Sequence, residues 1–107
     1  MVRQALDHAA VLDNVRQLRD ASSPPIGEVE RVLTDGYACV LRSEGERLRL
    51  RRRLEERARS LGPASGQDEV VELAALAQGI ARTGREIDEL RAALDELAAT
   101  ARRLRVA

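Results

Sequence analysis

The sequence predicts an all-α fold: an antiparallel, coiled-coil-like helical hairpin with a short N-terminal helix, forming a dimeric helical bundle. Three observations predict it. Apolar residues near the C-terminus repeat with a seven-residue period over nearly five heptads, the signature of a helix seam. The three prolines stand only at 24, 25 and 63, between the periodic segments rather than inside them. The chain has no Phe, no Trp and one Tyr, so its core must come from Leu, Val, Ile and Ala, residues that suit closely packed helices better than a sheet. A length of 107 residues fits one domain, residues 1–107.

The first helix is expected over about 3–20. Leu6, Ala9, Val11 or Leu12, Val15 and Leu18 form a stripe of about five turns, ended by the run ASSPP. Ser23 before Pro24 has the pattern of an N-cap followed by Pro at the first helical position, so the second helix is expected over about 24–61. Its apolar stripe runs Ile26, Val29, Leu33, Gly36 with Tyr37, Val40, then Leu50, Leu54 and Leu61. Gly62-Pro63 is the expected stop, with Gly62 in the left-handed region. Ser65 and Asp68 then suggest a capping box for a third helix over about 67–105.

That third helix carries Leu73, Ile80, Ile87, Leu94 and Ala101 at one heptad position and Leu76, Thr83, Leu90, Leu97 and Leu104 at the other. Nine of these ten are apolar. Each long helix would measure about 55 Å, and the short link between them folds one back on the other, bringing Leu54 toward Leu73 and Leu33 toward Leu94. One partner is too narrow for the apolar arc at 70–81. Val70, Val71, Ala74, Ala77 and Ala81 are therefore expected to meet a second copy, giving a homodimer. On the second helix Gly36, Tyr37, Val40 and Leu41 join them as candidate interaction residues, with Tyr37 as an anchor. Gly36, Cys39 and Ser43 make a stripe of small residues, and Gly45 falls opposite Thr83-Gly84, with Gly79 nearby, which points to close backbone approach.

The 18 basic residues are all Arg and balance 18 acidic ones, so the whole chain exerts no net pull on nucleic acid or anionic lipid. A lone cysteine excludes an intrachain disulfide and fits a reducing compartment. With no hydrophobic signal core and no run long enough to span a bilayer, the expected compartment is the cytoplasm, with no membrane partner.

Catalytic and metal chemistry find little to use. Cys39 lacks a base that the sequence places beside it, because the only His, His8, lies on another helix. There is no CxxC, HxxxH or ExxH, and no Gly-rich loop between a strand and a helix. No cofactor and no catalytic residue is assigned. The densest charged stretch, 42–59, holds eight Arg and four Glu. Arg49, Arg52, Arg53 and Arg57 share an outer face that would attract phosphate, while Arg47 stands where the heptad calls for an apolar residue. The intervening glutamates and the absence of stacking aromatics count against nucleic acid. The leading expectation is a non-enzymatic protein-interaction module, adaptor, chaperone-like or regulatory, that homodimerises and engages a protein partner. Alternatives are a nucleic-acid-associated protein using the arginine face, and a small helical enzyme holding an anionic substrate on Arg47.

Overall fold

The computed structural model describes residues 7–106. Those residues form three helices and no strand: α1 (His8–Asp20), α2 (Ile26–Arg59) and α3 (Gln67–Val106). The part of the first expected helix before residue 7, with Leu6, lies outside the described residues.

The helix ends obey local chemistry more closely than motif spacing. Asp7 caps α1, its Oδ2 accepting the Ala10 N–H at 3.3 Å, and the Ala21 N–H closes the far end on the Leu18 carbonyl. The expected Ser23 cap does not form. Pro24 precedes a second proline, whose ring disfavours helical geometry at the residue before it. The start therefore moves to Ile26, with Pro25 extended (φ −66°, ψ 134°) and its carbonyl accepting from Val29 at 3.1 Å. At the other end α2 stops at Arg59, earlier than Leu61, where the Ser60 N–H divides between the Glu56 and Arg57 carbonyls and its Oγ donates to Glu56 at 3.0 Å.

Gly62 is not left-handed; no described glycine has a positive φ. The turn is closed by Ser65 instead, whose N–H donates to the Gly62 carbonyl and whose Oγ accepts the Gly62 N–H, both at 2.9 Å. The carboxylate that caps α3 is Glu69, not Asp68, accepting the Gly66 N–H at 2.8 Å. A glutamate three residues beyond the cap has the reach this bond needs. Asp68 and Glu69 in the first turn, and Arg103 and Arg105 in the last, give α3 the charge polarity that a helix dipole favours.

Contacts between α2 and α3 pair residues in opposite order, as in an antiparallel pair. Arg57 bonds Glu72 at 2.6 Å, Leu50 lies by Gly79, Arg47 by Gly84, Glu44 pairs with Arg91, Gly36 meets Leu94, and Glu30 pairs with Arg105. α1 packs on both, and its Arg16 and Arg19 reach Glu89 and Glu96 on α3, each at 3.0 Å. Arg19 also holds Asp20 at 2.9 Å, and that hydrogen bond keeps the Asp20 carboxyl below the usual carboxylate range.

All ten heptad positions of α3 turn inward: six are buried, and Leu73, Leu76, Ile80 and Leu104 are half-buried. Thr83, the one polar member, donates its buried hydroxyl to the Gly79 carbonyl one turn back at 2.8 Å, so it needs no partner from another helix. The core is nevertheless confined to one end. Val11, Leu12 and Val15 of α1 close over Val29, Val32, Cys39 and Val40 of α2 and over Ile87, Leu90, Ala93, Leu94, Leu97 and Ala101 of α3. Among the described residues, none of α2 beyond Val40 is buried, and none of α3 before Gly79. Where α1 is present three helices enclose a seam; beyond it α2 and α3 continue as a two-helix arm in a molecule 66 × 28 × 17 Å. No helix among the described residues is long and apolar enough to cross a membrane.

Candidate protein-interaction surface

The arm sets the chemistry of the surface, because two helices bury only their mutual seam and leave both flanks in water. Residues advance about 100° each around a helix, so the seam positions fix where every other side chain points. On α3, Ala93, Glu89 and Glu96 lie to one side of the seam, and that is the side α1 covers. The cross-helix pair Glu44–Arg91 lies on the other side. That second, uncovered side also receives Tyr37, Leu41 and Leu48 from α2 and Leu73, Ala77 and Ile80 from α3. Tyr37, Leu41, Leu48 and Ala77 are exposed, Leu41 by 68%, and Leu73 and Ile80 are half-buried. Together they run about 30 Å along the molecule.

The nine candidate interaction residues divide among three environments. Gly36 and Val40 are inside the chain's own core: a side chain on Gly36 would overlap the Leu94 Cδ2 methyl, and Val40 is buried in the same cluster. Being covered within one chain, they offer no area to a partner, which corrects their place in the expected contact set. Tyr37, Leu41, Val70 and Ala77 lie on the uncovered flank. Val71, Ala74 and Ala81 are exposed on the back of α3, pointing away from α2. The apolar arc of 70–81 thus divides between that flank and the back of α3 and is not one patch. Leu48, missed in the sequence, sits among arginines in a charged run, and only its placement one face round from Leu50 marks it as exposed apolar surface.

The arginines do not converge either. Arg49 bonds Glu46 and Arg57 bonds Glu72, both at 2.6 Å, so half of the expected outer face is already compensated. Arg52 and Arg53 are exposed and share a hollow with Glu46, Arg49, Leu50 and Glu56, whose two carboxylates repel an anion. Arg47 points the other way, half-buried over Gly84, its Nη1 3.3 Å from the position a Cβ there would take. The glycine gives the guanidinium room to lie across α3 and reach water. Arg47 and the outer arginines do not form one site.

Cys39 is 1% exposed, and burial is the main cause that holds its thiol above the usual range, against a smaller opposing effect of Arg42. His8 lies 4.0 Å from Glu89, and its ring nitrogens are buried without a hydrogen-bond partner. A protonated, inaccessible thiol is a poor nucleophile. Among the described residues no group of three His, Cys, Asp or Glu is placed to hold a metal ion. The chain matches no known protein family, no curated protein and no solved structure.

Proposed function

We propose that this chain is a non-enzymatic, coiled-coil-like helical hairpin that homodimerises and serves as a protein-interaction module. One observation carries the reading. On the side that α1 closes, the large apolar residues of the seam are buried, Leu90, Leu94 and Leu97 completely, whereas on the flank it leaves open Tyr37, Leu41 and Leu48 stand in water beside a half-buried Leu73 and Ile80. Contiguous apolar surface of this kind on a small protein marks a place where another protein binds. A hairpin seam alone is too thin to form a dry core, and four helices supply what two lack.

The arginine face gives a nucleic-acid reading weaker support, since Arg49 and Arg57 are internally paired and carboxylates share the hollow. Light scattering during size-exclusion chromatography tests the proposal. A mass near twice 11.8 kDa is expected, and a Leu41→Arg, Leu48→Arg double variant, altered only at exposed positions, is expected to elute at 11.8 kDa with unchanged helicity.

A further inference from the structure

We infer that the occupant of the uncovered flank is a second copy of this chain laid antiparallel to the first, with the two-fold axis midway between Leu41 and Leu48. The inference rests on the homodimer reading and adds to it a face and an orientation.

The face is the one opposite α1. Its apolar length of about 30 Å and a two-helix width of about 20 Å make it comparable with the ~800 Å² per partner that a stable interface needs. α1 lies on the other flank and does not obstruct it.

The orientation follows from charge. Residues 41–59 of α2 carry eight arginines against four glutamates, whereas residues 26–40 carry Glu28, Glu30 and Asp35 against Arg31. Turning one copy end for end sets the basic half of one α2 along the acidic half of the other. A parallel dimer would set each half against its like. The antiparallel register matches Leu41 with Leu48 of the second copy, and Leu48 with its Leu41. The Glu44–Arg91 pair lies by the axis and is internally neutral, so the symmetry brings no uncompensated like charges together.

Double electron–electron resonance on the full chain, with a spin label at Arg59→Cys in a Cys39→Ala background, reads the orientation. The antiparallel dimer places the two labels about 45 Å apart, and a parallel one places them within about 25 Å. Mixing chains labelled at Arg59→Cys with chains labelled at Glu28→Cys is expected to give the short distance instead. The Leu41→Arg, Leu48→Arg pair is expected to raise the dimer dissociation constant on the order of a hundredfold, because it buries unpaired charge, while Ala74→Arg on the back of α3 leaves it unchanged. Circular dichroism verifies folding of each variant. A short Arg59 distance overturns the orientation and leaves the dimer standing. A dimer that survives both Leu→Arg changes overturns the face. A single-chain mass with no intermolecular distance overturns the homodimer reading itself.

Discussion

Gly36 of α2 sits directly against Leu94 of α3, with Leu94 Cγ and Cδ1 only 3.2 Å from where a Gly36 Cβ would stand and Cδ2 closer still. Leu94 is fully buried, so it has little freedom to withdraw. A Gly36→Leu change should cost about 1–3 kcal/mol or more by overpacking. Gly45→Ala should instead stabilise by up to about 1 kcal/mol, since the nearest atom to a new methyl is 3.9 Å away and the helix gains propensity. Urea denaturation of both variants measures the contrast, and equal effects would remove the close-approach reading of Gly36.

The confinement of the core to one end predicts an uneven response to truncation. Leu90→Ala or Leu97→Ala, at fully buried positions, should cost about 2–5 kcal/mol. Leu41→Ala should change monomer stability by no more than about 0.5 kcal/mol, when unfolding is measured at concentrations too low for association.

The caps show which parts of the helical reading were legible. Every heptad position assigned on α3 is buried or half-buried, because burial of one stripe depends only on periodicity, and periodicity is written in the residues themselves. The caps were less legible. Ser23 has the right neighbour for a cap, but the Pro24-Pro25 pair overrides it, and Glu69 outreaches Asp68. Which flank of the α2–α3 pair α1 covers was not legible at all. A heptad is symmetric about its seam, and the choice is made by tertiary pairs, Arg16–Glu89 and Arg19–Glu96, separated by more than seventy residues. Gly36 and Val40 stood in the apolar stripe of the second helix, but periodicity does not say whether such a stripe is covered by the same chain or by a second one.

The cap at α1 provides a local test. Asp7→Ala removes the carboxylate that accepts the Ala10 N–H and should cost about 1 kcal/mol. Because α1 covers Cys39 and Ala93, hydrogen exchange should accelerate first in α1 and then at residues 39 and 93, with the arm unaffected.

Cys39 gives a pH prediction of definite sign. Burial raises its folded pKa above the unfolded value, so the folded state retains the proton more tightly. The associated stability is fully present below the unfolded thiol pKa and is lost as pH rises through the folded one. Unfolding should therefore become easier in alkaline solution, and a Cys39→Ala variant should show less of that dependence. Near neutral pH the thiol should react with an aromatic disulfide reagent only as fast as the chain opens.

Sedimentation equilibrium over a range from nanomolar to high micromolar chain most directly tests the central claim that the uncovered flank is a self-association surface. The native chain is expected to show a monomer–dimer equilibrium, rising from 11.8 kDa toward twice that mass, and the Leu41→Arg, Leu48→Arg variant the same rise displaced to concentrations on the order of a hundredfold higher. A native chain that stays at 11.8 kDa across the whole range would contradict it.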